Sequence, residues 1–185
     1  PFFLFYRNIP FMTGSQSAKE DLINFRIPPE NIYVVNHGLR IKKIKPPQIK
    51  ERLKTVLYLS ALTRDKGIED ALKVFSNLLR IDDSYRFWVV GKGGGKYLEY
   101  LLTLVRKLGI GKNIKFWGYV SEEKKSELLA QAHVLIHPSV REGWGLNVIE
   151  GNYFGTPAIG YNVAGLKDSI QNGVNGYLVD YRDVF

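Results

Sequence analysis

Thr55-Val56-Leu57-Tyr58-Leu59-Ser60 opens the stretch whose reading decides the fold. After it, short apolar runs alternate with longer amphipathic ones: residues 68–79, Arg86-Phe87-Trp88-Val89-Val90-Gly91, residues 97–108, residues 113–120, residues 121–132, and His133-Val134-Leu135-Ile136-His137-Pro138-Ser139. The short runs are apolar almost throughout, as parallel strands are when helices cover both faces of their sheet. The longer runs carry helical marks. Leu72, Phe75 and Leu79 recur at helical spacing, Ser121 before Glu122, Glu123 and Lys124 reads as an N-terminal cap, and Gly109 stands where a C-terminal cap belongs. Strand and helix in regular alternation predict an α/β fold, a doubly wound, Rossmann-like parallel sheet of βαβ units.

Composition agrees with such a core. The chain has 185 residues, of which 45% are hydrophobic and 24% charged, enough for one domain or one domain and part of another. That excludes a disordered tail, a collagen-like repeat and a low-complexity linker. No apolar run reaches the roughly 20 residues that cross a bilayer, so a soluble globular chain is expected. It starts at Pro1 and reads as an excised or processed piece. Without cysteine there is no disulfide scaffold and no thiolate chemistry, which fits a reducing compartment. Three histidines, His37, His133 and His137, argue against a histidine-rich metal site. His133 and His137 flank an apolar strand and read as structural.

The net charge of +8 is concentrated at the front, where residues 1–66 hold 12 Lys and Arg against 5 Asp and Glu. Its densest part, from Arg40 to Lys54, sets seven basic residues against Glu51 alone. Two readings stand: a solvated linker around Pro46-Pro47, or a surface for anionic lipid, nucleic acid or an anionic substrate. The preceding segment combines a turn at Thr13–Ser17, a helix at residues 18–25, a turn at Pro28-Pro29-Glu30 and a strand at residues 31–35. One strand and one helix cannot bury a core. The segment therefore either joins the main sheet or belongs to a second domain, with the division drawn between residues 1–45 and 46–185.

In an open parallel sheet, ligands sit at the carboxyl ends of the strands, so the loops there carry the chemistry. Four are informative: Ala61-Leu62-Thr63-Arg64-Asp65-Lys66-Gly67, Gly91-Lys92-Gly93-Gly94-Gly95-Lys96, Gly118-Tyr119-Val120-Ser121, and Pro138 to Leu146. The glycine run has Tyr97 where a P-loop needs Ser or Thr and Lys96 where a dinucleotide fingerprint needs its third glycine. It is read equally as a plain turn or as a loop that lets a nucleotide approach the backbone.

The last loop is the most informative. Glu142-Gly143-Trp144-Gly145-Leu146-Asn147-Val148-Ile149-Glu150 places Gly-Trp-Gly at a helix start between two carboxylates. Bare amides and the helix dipole favour a phosphate there. Carboxylates beside an anion would repel it, so Glu142 and Glu150 are better suited to accept from neutral hydroxyls. Two sugars flanking a diphosphate make a nucleotide-sugar, and Lys66 could supply the compensating charge. Trp144 is read either as a packing residue against the helix or as a sugar contact.

These residues resemble the retaining glycosyltransferases of family 4, whose GT-B fold pairs two Rossmann-like domains around a cleft. The resemblance is to the C-terminal, donor-binding domain. Its pattern is met by Pro138-Ser139, Glu142-Gly143-Trp144-Gly145-Leu146 and Glu150, then by Gly155-Thr156-Pro157, Val163–Asp168 and Asn172–Val179. Upstream, Lys66-Gly67, Gly91-Lys92-Gly93 and Phe116–Val120 fall in order. Ser15–Leu22 and Asn36-His37-Gly38 are similar to the end of the family's N-terminal domain and its linker.

The resemblance implies a hexosyltransferase that takes a UDP- or GDP-linked sugar and passes the hexose to a sugar or lipid-linked acceptor held by the N-terminal domain. It implies Glu150 at the ribose and Glu142 at the donor sugar. Backbone groups of Gly143, Trp144, Gly145 and Leu146 would meet sugar and phosphate, Lys66 the diphosphate, and the loops at Gly91, Tyr119 and Val120 the base. Lys66 and Glu142 are the residues nearest the chemistry. No metal and no cofactor are expected, no nucleic acid partner, and a cytoplasmic location with peripheral contact at the inner membrane face through Arg40–Lys54.

The chain departs from the family at three places. Ser60-Ala61 stands where Gly-Arg is usual, with Arg64 as a substitute cation; Ala164 replaces a glycine, and Asp168 replaces a glutamate. The chain alone is expected to bind donor without transferring it. A non-catalytic binding or scaffold module on the same fold is the alternative, and an NAD-dependent oxidoreductase has only the fold class behind it.

Overall fold

The computed structural model describes residues 5–39 and 49–181. Its main sheet has six parallel strands, β3 (Thr55–Leu59), β4 (Arg86–Val90), β5 (Ile114–Gly118), β6 (Val134–His137), β7 (Ala158–Tyr161) and β8 (Gly176–Val179). They lie in the order β5-β4-β3-β6-β7-β8. The chain thus winds outward from β3 in one direction through β5, then returns to the other side of β3 with β6. This is the predicted doubly wound topology, and it opens a crevice where the order reverses, between the carboxyl ends of β3 and β6.

Alternation along the strands explains why both faces are covered. Val56 and Tyr58 enter one core cluster with Ile68, Leu72, Phe75, Phe87 and Leu101, while Leu57 and Leu59 enter another with Leu128, Leu129, Leu135 and Val148. The first cluster lies beneath α2 (Ile68–Ile81) and α3 (Gly95–Leu108), the second beneath α4 (Glu122–Gln131) and α5 (Leu146–Tyr153). Phe75 is fully buried, with its ring centroid 4.9 Å from that of Phe87. Truncating Phe75 to alanine would cost about 3–5 kcal/mol through lost transfer energy and the cavity left behind.

The predicted caps are in place. Ser121 accepts from the Lys124 amide at the start of α4, and Gly109 ends α3 in the left-handed region at φ 71°. Helix α2 ends two residues beyond the predicted boundary and α3 begins two residues before it. A short α6 (Leu166–Ser169) follows β7.

The N-terminal segment holds one strand more than the sequence reading gave it. It holds two strands, β1 (Phe11–Thr13) and β2 (Ile32–Val34), around α1 (Gln16–Asn24), and these pair with each other in parallel as a separate sheet that does not join the main one. Thr13 therefore ends a strand, and Ser15 caps α1 by accepting from the Ala18 amide. Three contacts hold α1 to the main domain: the Ser17 amide donates to Asp168 at 3.1 Å, Arg141 pairs with Asp21 at 2.8 Å, and Lys167 pairs with Glu20 at 3.1 Å.

Of the basic stretch Arg40–Lys54, residues 40–48 lie outside the described residues. Two of its other cations make contacts within the domain. Lys50 donates to the Ala132 carbonyl at 2.6 Å, the Gly155 carbonyl at 3.0 Å and the Thr156 hydroxyl at 2.8 Å, and burial lowers its pKa. Lys54 pairs with Asp82 at 2.8 Å. Among the described residues no helix is long and apolar enough to cross a membrane.

Candidate donor-binding site

The four loops singled out in the sequence lie on one rim of the sheet, because β3, β4, β5 and β6 all run parallel. At the crevice the loops after β3 and β6 are joined directly, the Val140 amide donating to the Asp65 carbonyl at 3.0 Å. Gly67 sits at this join with φ +70°, and a Cβ there would lie 2.0 Å from the Pro138 carbonyl oxygen. Only a residue with no side chain permits this approach. Beneath it, the buried Tyr58 hydroxyl donates to the carbonyls of Ala61 at 2.9 Å and Lys66 at 3.1 Å, tying the loop to the strand that it leaves.

That join brings Lys66 to Glu142. Lys66 Nζ donates to Glu142 Oε1 at 2.8 Å, and His137 Nε2 lies 3.1 Å from the same oxygen. Burial pushes the Glu142 carboxyl up, but hydrogen bonds from His137 and Lys66, with a lesser contribution from Ser139, outweigh it and hold the pKa at about 2. The group is a fixed anion across the physiological range. His137 is 2% exposed, as a structural histidine would be, but reading it as structural alone was incomplete, since it fixes one of the two motif carboxylates.

Glu142 is also held through its backbone. Its amide donates to the Ala164 carbonyl at 3.2 Å, and Gly165, at φ +82°, passes so close that a Cβ would lie 2.1 Å from the Glu142 carbonyl oxygen. Ala164, which stands where the family has glycine, is accommodated here, whereas Gly165 is required. Beyond Glu142, Gly145 turns into α5 at φ +76° with no side chain capping the helix. The first amides of α5 thus remain open beside Gly143, which is exposed, and Trp144, which is half-buried. Leu146, the first residue of α5, is partly exposed, and the Asn147 amide nitrogen anchors the helix by donating to the Leu59 carbonyl at 2.7 Å.

Glu150, one turn along α5, meets a partner that the sequence reading missed. Lys125 of α4 donates to Glu150 Oε1 at 2.9 Å and pairs with Glu122 at 2.8 Å. Burial works against its charge, and the two carboxylates outweigh burial, raising its pKa. The second oxygen of Glu150 is buried with no hydrogen-bond partner among the described residues. The one signal available in the sequence was the Lys124-Lys125 pair a turn after the Ser121 cap, and nothing local ties it to Glu150.

A cavity of about 290 Å³ lies beside this pair, lined among others by Ser60, Gly91, Tyr119, Val120, Glu122 and Lys125. Gly91, Tyr119 and Val120 are thereby brought together as expected, with Tyr119 largely exposed. Gly91 is obligatory, since at φ +149° a Cβ would lie 1.8 Å from the Ser60 carbonyl oxygen. Ala61, where the family carries arginine, also lines this cavity. Arg64, the expected substitute, lines a different cavity from Ala61, with its Nε 3.6 Å from Glu69 and its guanidinium over the Tyr97 ring. A short helical turn, Arg64–Lys66, carries the two cations apart. Among the described residues no group of three or more His, Asp or Glu side chains is placed to hold a metal ion.

The comparisons agree with this geometry. The family described as "Glycosyl transferases group 1" matches residues 40–184. An uncharacterized glycosyltransferase of Methanocaldococcus jannaschii is 27% identical over 188 residues, covering 94% of this chain and 47% of its own length. The N-acetyl-alpha-D-glucosaminyl L-malate synthase of Bacillus anthracis is 29% identical over 154 residues, covering 83% of this chain and 39% of its own length. The chain thus spans less than half of either relative. Among solved structures, a glycosyltransferase from Rickettsia africae superposes with a TM-score of 0.83 at 20% identity, over 99% of this chain and 53% of that one. The pneumococcal O-GlcNAc transferase GtfA, solved in complex with UDP and GlcNAc, gives 0.81 at 21% identity, over 98% and 37%. These likenesses carry the fold, one Rossmann-like half of the GT-B architecture, and the family match carries the rest: the chain belongs to the glycosyl transferases group 1 family.

Proposed function

We propose that this chain is the donor-binding part of a retaining glycosyltransferase that takes a nucleoside-diphosphate sugar and passes its hexose to a sugar or lipid-linked acceptor. The observation that carries the reading is the 290 Å³ cavity lined by Gly91, Tyr119, Val120 and Lys125, where Lys125 holds Glu150, whose buried Oε2 has no hydrogen-bond partner among the described residues. A buried carboxylate oxygen without a donor is costly, and a ribose hydroxyl supplies the donor it lacks. The base then lies against Gly91, Tyr119 and Val120, and the diphosphate runs toward the open amides at the start of α5.

In this reading Lys66 meets the diphosphate and Glu142 the donor sugar. Both donors to Glu142 use Oε1, so a sugar hydroxyl is accepted by Oε2. As the bond from the anomeric carbon to the diphosphate breaks, charge grows on the leaving oxygens. Lys66 and the α5 amides are fixed where that charge develops, so they stabilise it without reorganising. The acceptor hydroxyl attacks on the face that the diphosphate leaves, and its proton passes to the departing diphosphate oxygen. No metal and no cofactor enter this proposal. Assay of the full-length protein against UDP- and GDP-hexoses, with the anomeric configuration of the product read by NMR, tests it; release of hexose with inverted configuration would refute the retaining course.

One observation favours a second reading, a nucleotide-sugar-binding module without turnover. Ala61 lines the cavity where the family carries a cation, and Arg64 is engaged elsewhere. Donor binding without transfer in the full-length protein would select it.

A further inference from the structure

A second cavity, of about 410 Å³, opens on the same rim between the loop after β3 and the start of α3. Neither Lys66 nor Glu142 lines it, and it shares only Lys92 with the cavity beside Glu150. Leu62 and Lys92 stand between the two, joined by a hydrogen bond from the Leu62 amide to the Lys92 carbonyl at 2.9 Å.

Its walls combine two chemistries. Arg64 and Lys92 bring positive charge, and no acidic residue is among the lining residues. Glu69 is the one carboxylate close to Arg64, at 3.6 Å from its Nε, and it already accepts from the hydroxyls of Tyr97 at 3.0 Å and Tyr100 at 2.9 Å. Arg64 is thus held at one edge while its terminal nitrogens make no hydrogen bond among the described residues. The Lys92 ammonium has no ion-pair partner among them either. The other chemistry is flat and apolar: the Tyr97 ring and the Leu62 side chain, with Gly93 and Gly94 adding backbone without bulk. Tyr97 is braced by stacking on Tyr100, centroids 5.9 Å apart. Gly93 seats directly on Leu62, where a Cβ would lie 2.8 Å from that side chain. Apart from Arg64 and Lys92, none of these residues enters the donor-site reading.

We propose that this cavity is a second ligand site and that it takes a small sugar phosphate. A sugar ring offers a face of C–H groups that fits against Leu62 and the part of the Tyr97 ring that the Arg64 guanidinium leaves uncovered, and a phosphomonoester offers three acceptor oxygens to Arg64 and Lys92. Arg64 suits the anion through its planar fork, Lys92 as a point charge. The apolar wall excludes a bare inorganic anion as the best ligand, and the paired cations exclude a neutral sugar. Because Lys92 faces both cavities, a ligand here engages a residue that the donor cavity also uses.

The site is tested by titrating isotope-labelled protein with glucose 6-phosphate, with glucose and inorganic phosphate as separate arms, and following backbone amide signals by NMR. Glucose 6-phosphate is expected to move the signals of Arg64, Gly93 and Gly94 ahead of those of Tyr119 and Val120. It should bind at least about tenfold more tightly than either single arm, and at least about tenfold more weakly to Arg64→Ala/Lys92→Ala. Movement of the Tyr119 and Val120 signals first would assign the binding to the donor cavity and overturn the proposal. So would undiminished binding by the double variant, no response to glucose 6-phosphate, or inorganic phosphate binding equally well. Because the location is read from which signals move, the result stands whether or not a nucleotide-sugar binds next door.

Discussion

Lys66 Nζ lies 2.8 Å from Glu142 Oε1, although 76 residues separate the two in sequence. They meet because the strand order reverses between β3 and β6, which sets the loops after those strands side by side. The pair is largely shielded, with side-chain exposures of 24% and 17%. Removing one partner leaves the other's charge poorly compensated. Lys66→Ala is therefore expected to destabilise the protein by about 1–3 kcal/mol, more than a surface ion pair is worth, as measured by urea denaturation near neutral pH.

The depressed pKa of Glu142 makes part of the stability depend on pH. Its folded value, about 2, lies below the ordinary 4.5, so the native state holds the proton less tightly than the unfolded state. The resulting stabilisation, on the order of 3 kcal/mol, is complete above the unfolded value and is lost as pH falls through the folded one. The stability difference between the protein and Glu142→Gln should be constant above pH 4.5 and shrink toward pH 2. Urea midpoints measured across that range check it, and a difference that stays flat would show that the carboxylate is not held in this way.

Glycines divide sharply by what surrounds them. Gly165→Ala would force a Cβ to within 2.1 Å of the Glu142 carbonyl oxygen in a backbone region that disfavours side chains, while a Cβ at Gly111 meets nothing within 4 Å. Gly165→Ala should cost about 3 kcal/mol or more and Gly111→Ala less than about 0.5 kcal/mol, read as shifts in thermal midpoint.

Tyr58 offers a test of loop anchoring. Its hydroxyl donates to the carbonyls of Ala61 and Lys66 from a buried position. Tyr58→Phe keeps the ring in the core and removes both bonds, so a loss of about 1–2 kcal/mol is expected in denaturant unfolding. Loosening the loop that carries Lys66 should weaken nucleotide binding as well, whereas Phe75→Ala should lower stability without that selective loss.

The fold was legible because its signals are local. Runs such as Val56–Leu59 are apolar on both faces, and Ser121 and Gly109 mark helix ends by their own chemistry. Strand β1 was missed because it has three residues, Met12 is largely exposed, and its one neighbour is β2. In the site, Glu142, Glu150, Gly91 and Lys66 were readable from motif spacing. Lys125 and His137 were not, because their contacts depend on where α4 and β6 end in space. The placement of Arg64 was not readable for the same reason. Two residues from Lys66 in sequence, it is carried by a helical turn toward Glu69 and Tyr97.

The central claim is that the crevice between β3 and β6, with the cavity beside Glu150, binds a nucleoside-diphosphate sugar. Calorimetric titration with UDP, GDP and ADP and their glucose or mannose conjugates, alongside Glu150→Ala and Lys66→Ala, tests it most directly. One nucleotide class is predicted to bind, at least about tenfold more weakly to each variant, since each removes a charge-assisted contact to the ligand. Absence of binding by a folded protein to every one of these, or binding that neither variant weakens, would contradict the claim.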